Sequence, residues 1–521
     1  MSGFVALLAR KGGIAERSLV DRLAAPLAVL RPEVTAAHVD GPVGLAQAFL
    51  STRVGATQGP HTDGSGIWLV GDVRLDQRDM LVAALTGARG SVPDRRAPPD
   101  INDDDQLVLA AYRAWGDEAF GRLRGDFSFA IWDGPRGRLV CARDGLGVRP
   151  LFFAALDDAF ICSNSLTAVR AHPAVSRRVH DAAVVSFLQW GFNVDTATTT
   201  FADIRRLEPG HAMEVTIGAG AGAPWRHWRF PEPEPLRFRR ESDYVDRFRE
   251  LLAAAVLDRL RVPTLSLQLS GGLDSTALAA TVHRVAPSVA IKAYTFTAPW
   301  AFDDQEGRLA ASVAERVGAE HVIYDDVFTP LTHLDDPAFR SPEPLDEFSI
   351  IPSRRLWADA AAHGRVMFIG EDADALFYPP DLTTMLRQWP VYDVALRYAR
   401  YIRKHRKLPH VGLWLKKRLR GTPLRWPGPP VPPWVRPDVI ARVGEQRPAS
   451  LESHPTRPEM HERLSAPLWQ CLQEADSFDY MAQQVEVRWP FLDQRLIEFA
   501  ASIPPVPWCQ RKEIVRVAFG G

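Results

Sequence analysis

Leu265-Ser266-Leu267-Gln268-Leu269-Ser270-Gly271-Gly272-Leu273-Asp274-Ser275-Thr276 carries an apolar run through two glycines into small, hydroxyl-bearing residues. The alternating leucines predict a strand, and the alanine-rich Thr276-Ala277-Leu278-Ala279-Ala280-Thr281-Val282 predicts a helix, so the glycines fall at a strand-to-helix turn. Such a turn aims backbone N–H groups at a helix N-terminus, where the helix dipole favours an anion. Gly271 and Gly272 allow close approach to phosphate oxygens, and the hydroxyls of Ser270, Ser275 and Thr276 add donors. Asp274 has the wrong charge to bind phosphate itself, and a carboxylate in that place implies Mg²⁺. The stretch reads as a pyrophosphate and magnesium cradle. It is not the Gly-x-x-x-x-Gly-Lys-Ser/Thr loop, because the phosphate-binding lysine is missing.

Working outward, residues 244–260 alternate as an amphipathic helix feeding the cradle strand. Downstream, Ala290-Ile291-Lys292-Ala293-Tyr294-Thr295-Phe296-Thr297 and His321-Val322-Ile323-Tyr324 read as strands, separated by a helix opening at Asp303-Asp304 and running to Val317. Strands alternating with helices imply a parallel sheet with its ligand at the strands' carboxyl ends. Glu306 and Arg308 read as part of a solvated helix face. A buried strand over Arg365-Val366-Met367-Phe368-Ile369 then delivers Gly370-Glu371-Asp372-Ala373-Asp374 to a loop, where one carboxylate suits a base and another a magnesium ligand. An acidic helix cap is the plain alternative for these acids.

Residues 1–215 show shorter strands and tighter turns. Gly66-Ile67-Trp68-Leu69-Val70-Gly71-Asp72-Val73-Arg74-Leu75 is one strand, and the runs beginning at Phe127 and Arg138 form a hairpin closed at Gly134-Pro135-Arg136-Gly137. Gln106–Trp115 has helical spacing behind the acidic Asp103-Asp104-Asp105. Glycines and the proline-bearing Phe230-Pro231-Glu232-Pro233-Glu234-Pro235 mark residues 216–242 as a linker, leaving 243–521 as the second domain.

Two domains suit 521 residues. Lys+Arg of 62 against Asp+Glu of 63 gives a net charge of −1, so no global field favours nucleic acid. Neither a signal sequence nor a run of about 18 apolar residues is present, which predicts no membrane partner and a cytoplasmic protein. Cys141, Cys162, Cys471 and Cys509 lack metal or disulfide spacing and read as small buried residues, with Cys509 placed at the surface.

The stretches Gly125-Asp126-Phe127-Ser128-Phe129-Ala130-Ile131-Trp132-Asp133, Ala142-Arg143-Asp144-Gly145-Leu146-Gly147-Val148-Arg149-Pro150 and Ile204-Arg205-Arg206-Leu207-Glu208-Pro209-Gly210-His211 resemble the glutaminase domain of class B asparagine synthetases. The cradle resembles the loop of the N-type ATP pyrophosphatases. The resemblance implies an α+β, Ntn-hydrolase-like sandwich followed by an α/β ATP-pyrophosphatase domain with a parallel sheet. It departs where glutaminase chemistry would live. The family needs an N-terminal cysteine, exposed by removal of Met1, and this chain has Ser2; the Asn-Gly oxyanion segment falls on Val70-Gly71, and the glutamine-binding arginine falls on Phe49. Loss of one oxyanion donor typically costs about 10²–10³ in rate. The first domain is therefore expected to be an inactive platform.

In the second domain the resemblance assigns Leu269, Ser270, Gly271, Gly272, Asp274, Ser275, Thr276, Phe296 and Gly370 to ATP and pyrophosphate, and Asp274 and Asp374 to magnesium. Glu371 carries over as a base or orienting group. Asp372 and Ala375 depart from the family's glycine and glutamate at those positions. Lys512, ahead of Ile514-Val515-Arg516, carries over as the cation facing pyrophosphate and oxyanion charge. Arg488 and Asp493 read as a structural ion pair. The basic residues of 397–420 read as a solvated helical face, and Pro427-Gly428-Pro429-Pro430-Val431-Pro432-Pro433-Trp434 as an extended surface for a peptide.

Without glutamine hydrolysis the activated carboxylate must meet another amine, as in β-lactam synthetases and lasso-peptide cyclases. Pro504-Pro505-Val506-Pro507-Trp508-Cys509-Gln510-Arg511-Lys512 looks more like the cyclases, and Glu371 argues against the β-lactam enzymes, which carry tyrosine there. The expectation is an ATP- and Mg²⁺-dependent macrolactam synthetase acting on a precursor core peptide, with a leader-recognition protein and a leader peptidase as partners. An ammonia-using asparagine synthetase and a non-catalytic nucleotide- or precursor-binding protein are the other readings.

Overall fold

A computed structural model of the chain describes residues 1–89, 100–297, 305–325, 341–344, 346, 350–409, 428–448 and 454–520. In the first half, one antiparallel sheet runs in the order Arg205–Arg206, Phe152–Ala155, Ala159–Ser163, Ser2–Ala9, Val43–Phe49, Val34–Asp40. A second runs Gly220–Ala221, His211–Thr216, Arg138–Arg143, Gly125–Asp133, Ile67–Leu75, His61–Thr62. Phe4, Leu45, Val70, Trp132, Cys141 and Cys162 fill the space between them. Helix Arg17–Ala24 packs Val20 and Leu23 on the outer face of the first sheet, and helix Asp104–Trp115 packs Leu107 and Ala111 on that of the second. Covering both faces of each sheet explains why these strands read as nearly continuous apolar runs. Trp225–Arg226 also pairs with His211–Thr216, so the sheet extends into the stretch read as linker; residues 227–240 then contain no helix or strand.

The second half is built on five parallel strands: β1 (Thr264–Gln268), β2 (Ala290–Phe296), β3 (Glu320–Tyr324), β4 (Val366–Phe368) and β5 (Glu486–Arg488). Their order is β3-β2-β1-β4-β5. Helices α1 (Glu241–Leu260), α2 (Leu273–Val285), α3 (Glu306–Val317), α4 (Ile350–His363), α5 (Ala373–Leu376) and α6 (Glu513–Phe519) complete the part that matters for the site. Leu265, Leu267, Ala277, Leu278 and Val282 are fully buried in one core with Phe248, Leu252 and Phe368. From β1 the chain builds outward through β2 and β3, then crosses back to β4 on the other side. That reversal opens a crevice at the carboxyl ends of β1 and β4, where ligands of open α/β sheets bind.

Several details differ from the sequence reading. α2 begins at Leu273, so Asp274 and Ser275 lie in its first turn. Cys509 is buried, because the turn Pro505–Trp508 carries Trp508 into the core against Tyr244 at 5.4 Å between ring centroids. Arg488 and Asp493 do not pair with each other: Arg488 Nε donates to Glu486 at 2.9 Å, while Asp493 accepts from Arg259 and Arg495, each at 2.7 Å. The proline run is held where Gln189 Nε2 donates to Pro429 O at 2.8 Å, although Trp434 is exposed. Of the basic stretch, Arg400 and Arg403 are exposed as expected, while residues 410–420 lie outside the described residues, as do Asp303, Asp304 and Pro427.

Buried ion pairs join the halves. Arg149 meets Glu486 at 2.5 Å, Arg259 meets Asp76 at 3.1 Å, Arg261 meets Asp104 at 2.9 Å, and Arg206 meets Glu474 at 2.9 Å and also Glu343. Asp76, Asp258 and Asp493 come close enough together to suggest a metal, but Arg74, Arg259 and Arg495 already neutralise their oxygens. Among the described residues no helix is long and apolar enough to cross a membrane.

Candidate active site

Two loops meet in the crevice. The first leaves β1 at Leu269, whose N–H donates to Tyr294 O at 2.8 Å and whose carbonyl accepts from Thr295 Oγ1 at 2.5 Å. Ser270 and Ser275 close the turn, their hydroxyls 3.2 Å apart, and Gly272 N–H donates to Ser270 Oγ at 3.3 Å. Gly271 sits at φ +70°, and a Cβ there would lie 2.6 Å from Leu309 Cβ and 2.8 Å from Ala310 N on α3. Both the conformation and the contact demand glycine. Thr276 follows in the first turn of α2.

The second loop leaves β4. A Cβ on Gly370 would lie 2.7 Å from Ser275 N, so the loops touch backbone to backbone. Beyond it Glu371 is exposed, Asp372 is buried in the left-handed region at φ +76°, and Asp374 lies in the first turn of α5 with its side chain 82% exposed. Asp372 precedes α5 at the capping position, yet its side chain makes no capping bond. Neither of its carboxyl oxygens has a hydrogen-bond partner among the described residues. Burial, then the charges of Glu371 and Asp274, push this carboxyl well above the usual range.

Lys512 ties the loops together. Its Nζ lies 2.7 Å from Asp274 Oδ2 and 2.9 Å from Asp374 Oδ1. Burial works against the lysine charge, but the bonds to both aspartates outweigh it and hold the ammonium above the ordinary lysine range. Burial also pushes the Asp274 carboxyl up, against the pull of Lys512. Arg511 and Lys512 adopt φ values of +50° and +54° just before α6. For non-glycine residues this conformation is costly and marks functional sites more often than chance. Asp274 Oδ1 is buried and unpartnered among the described residues, which leaves an acceptor for a cation beside the anion-binding turn. Phe296 stands at the carboxyl end of β2, half-buried, with its ring 5.7 Å from Tyr324.

The structure therefore brings together Leu269, Ser270, Gly271, Gly272, Asp274, Ser275, Gly370, Asp374 and Lys512, although Lys512 is 238 residues from Asp274 in sequence. In sequence Asp372 is only a departure from the family's glycine, and the structure buries it with both oxygens unpartnered among the described residues. Its signal was a third acid in Glu371-Asp372-Ala373-Asp374, where the resembling loop has glycine.

The first half has a different centre. Ser2 pairs in register with Phe49, and both are buried. Ser2 N–H donates to Asp72 at 3.1 Å, and Asn164 Nδ2 donates to Ser2 O at 2.8 Å. Val70 is fully buried between the sheets and offers no side-chain amide.

Fold and site together define an N-terminal amidotransferase-type (Ntn) domain followed by an ATP-pyrophosphatase-type domain with a parallel sheet. Residues 247–520 match the family model described as asparagine synthase, and residues 98–226 match that of a glutamine amidotransferase domain. The chain belongs to the asparagine synthase family. Putative glutamine-hydrolysing asparagine synthetases of Mycobacterium tuberculosis and Mycobacterium bovis are 29% identical over 441 residues, covering 77% of this chain and 64% of theirs. Glutamine-hydrolysing asparagine synthetase 3 of Bacillus subtilis is 33% identical over 180 residues, covering 34% of this chain and 28% of its own. Amidase chry2 of Gibberella zeae is 24% identical over 454 residues, covering 78% and 67%. The chain thus spans just under two thirds of the length of its mycobacterial relatives.

Proposed function

We propose that the chain is an ATP-dependent, AMP-forming amide ligase, and that it closes a macrolactam on a leader-cleaved precursor peptide, as lasso-peptide cyclases do. The observation that carries the ligase reading is the Asp274–Lys512–Asp374 bridge beside a glycine turn at the sheet's crevice. In this reading Leu269, Ser270, Gly271, Gly272, Ser275, Thr276, Phe296 and Gly370 hold ATP. Asp274 and Asp374 would hold Mg²⁺, and they fit it: the pair already gathers one cation, and Asp274 Oδ1 has no other partner among the described residues. The ion would neutralise phosphate charge when bound. A carboxylate oxygen of the substrate attacks the α-phosphorus, the α–β bridging bond breaks, and pyrophosphate leaves. An amine then attacks the acyl carbon and AMP leaves. Lys512 faces the charge that develops on oxygen in both steps.

The first half supports an amine other than glutamine-derived ammonia. Ser2, Val70 and Phe49 stand where a thiol nucleophile, an oxyanion donor and a substrate clamp would be needed. An amine within the same molecule has the further advantage of proximity, worth about 7–11 kcal/mol for a well-oriented pair. The resemblance of residues 504–512 to the cyclases favours a peptide. A leader-recognition protein and a leader peptidase are the partners this reading implies.

The test is pyrophosphate release with Mg²⁺-ATP, comparing a leader-free precursor peptide with aspartate plus ammonium and weighing the peptide for loss of one water. Release and dehydration with the peptide, both abolished in Asp274→Ala, are expected. Release with aspartate and ammonium alone would instead favour an asparagine-forming enzyme, the reading supported by the relatives' names. Silence with both would leave a nucleotide- or precursor-binding protein.

A further inference from the structure

Lys512 bridges the two loops of the crevice from an unusual piece of backbone. Arg511 and Lys512 stand at φ +50° and +54°, immediately before α6. Consecutive non-glycine residues keep that conformation only where the surroundings over-determine it. Here the surroundings are the helix Val391–His405, which grips the segment at both ends. At one end Val506 is buried with Tyr401 and Met385 in a small core of their own. At the other, Lys404 Nζ donates to Glu513 Oε1 at 3.0 Å, and His405 Nε2 lies 3.3 Å from the same oxygen. The His405 ring stacks on Tyr401, with centroids 4.4 Å apart.

Glu513 follows Lys512 directly and is the first residue of α6, whose Ile514 and Val515 are fully buried. Its side chain is only 7% exposed, whereas Lys404 is 58% exposed and reaches in from the surface. The helix dipole favours an acid at this position but calls for neither burial nor a partner on another helix. The buried carboxylate makes sense as a peg for the turn before it. Lys512 Nζ must meet Asp274 at 2.7 Å and Asp374 at 2.9 Å at once, and charged groups in a site work only when held to within about 0.5 Å. One residue away, the Glu513 peg fixes the direction in which the Lys512 turn opens.

We propose that Glu513 is a positioning residue: tied to Lys404 and His405, it sets the turn that aims Lys512 at the two crevice carboxylates. For its effect on rate the inference rests on the amide-ligase reading. Glu513 makes and breaks no covalent bond in this role; a loosened turn lets Lys512 drift from the charge it faces. A merely structural peg would tie the helix Val391–His405 to α6 and leave the rate untouched.

The experiment uses the full chain with Glu513→Ala, with Glu513→Gln, which keeps an acceptor oxygen of the same reach, and with Lys404→Met, which removes one partner from the surface. Pyrophosphate release with Mg²⁺-ATP is followed with a leader-free precursor peptide and with aspartate plus ammonium. Separately, without substrate, mass spectrometry reads how fast acetic anhydride acetylates Lys512. Glu513→Ala should lower kcat about 10–100-fold, the loss expected when a reacting group is misplaced by about 1 Å. KM for ATP should move less than about threefold, since the charge Lys512 faces develops during reaction. Glu513→Gln should recover to within about fivefold of wild type, because its oxygen still accepts from Lys404. In a Lys512→Ala background, Glu513→Ala should cost less than about twofold more, as it acts through that lysine. Acetylation of Lys512 should rise about threefold or more in Glu513→Ala, because the paired, protonated amine is unreactive. Lys404→Met should move kcat and acetylation the same way by about threefold, so the proposal can fail even if Glu513→Ala does not fold. Unchanged kcat in Glu513→Ala or Lys404→Met would overturn it, as would unchanged acetylation. Losses that simply add to those of Lys512→Ala would do the same and make Glu513 structural. If wild type releases pyrophosphate with neither probe, the ligase reading itself falls, while acetylation still decides whether Glu513 aims Lys512.

Discussion

Where the two halves meet, Arg149 contacts Glu486 at 2.5 Å, and Arg259 contacts Asp493 at 2.7 Å and Asp76 at 3.1 Å, all of them nearly fully buried. In the β1/β4 crevice, by contrast, Asp274 keeps one unpartnered oxygen and Asp372 two, among the described residues. Both regions bury charge. At the boundary Glu486, Asp493 and Asp76 each meet a guanidinium, an arrangement that fixes geometry and leaves little for a ligand. In the crevice the acids outnumber the one lysine, so charge is left for something that binds. The difference sets the two regions apart: charge is paired off at the boundary, and acceptors are left open in the crevice.

The severest way to break this contrast is to remove the first half. Without residues 1–226, Glu474, Glu486 and Arg259 each lose a buried partner. Stripping one partner from a buried pair costs about 3–5 kcal/mol, against a total stability of about 5–15 kcal/mol for a domain. Residues 227–521 expressed alone should be insoluble or show no cooperative unfolding; a stable, soluble fragment would show that the boundary pairs do not hold the fold.

A single change at the boundary should act in the same direction. Glu486→Ala is expected to cost about 3–5 kcal/mol in denaturant unfolding, since Arg149 and Arg488 would stay buried without it. Burial alone would push the Glu486 carboxyl up, but Arg488 and Arg149 overcome it and hold it well below its ordinary 4.5. A depressed folded-state pKa stabilises the protein above 4.5 and loses that contribution as pH falls through the folded value. Wild type should therefore lose stability more steeply than Glu486→Ala on acidification below about pH 4.5, and parallel curves would count against the pairing.

In the crevice the expected losses are of rate and not of fold. Lys512→Ala should lower pyrophosphate release by about 10²–10³-fold, the cost of removing one donor from a developing negative charge. Its unfolding midpoint should move less than that of Glu486→Ala, because Asp374, one of its two partners, has its side chain 82% exposed. A large stability loss with little loss of rate would make Lys512 a structural bolt.

Much of this contrast was readable in the sequence, and the unread part has a physical cause. The cradle was legible because its demands are local: Gly271 must be glycine for its φ and for its contact with α3, and a strand must precede it. Asp374 and Lys512 were legible only through resemblance, since nothing within a few residues of either shows that they meet Asp274. The boundary pairs were misread for the same reason. Arg488 and Asp493 are five residues apart and look like partners, but β5 is a strand that hands Arg488 to Glu486 while the next helix turns Asp493 towards Arg259. Long-range pairing of charges carries no periodicity. Cys509 was misplaced because Pro505 and Pro507 signal an exposed turn, while Trp508 beside them drives the turn into the core.

The smallest expected effect is the sharpest test of what the first half is for. Ser2 is buried, its backbone is bonded on both sides by Asp72 and Asn164, and its register partner is Phe49. If the hydroxyl took part in turnover, removing it would cost at least tenfold, since a lost nucleophile cannot be replaced by packing. If the half acts only through its boundary pairs, Ser2→Ala deletes one oxygen from a site that makes no bond to the crevice. We expect Ser2→Ala to form product within about twofold of wild type and to unfold within about 0.5 kcal/mol of it. Ser2→Cys should likewise release no glutamate from glutamine, because the side chain of Val70 still offers no donor to an oxyanion and Phe49 no charge to a substrate carboxylate. Glutamate from Ser2→Cys would mean that the thiol is the one missing part and that the pocket is otherwise intact. Its absence would leave the apolar Val70 and Phe49 as the reason the two halves of the molecule bury charge to different ends.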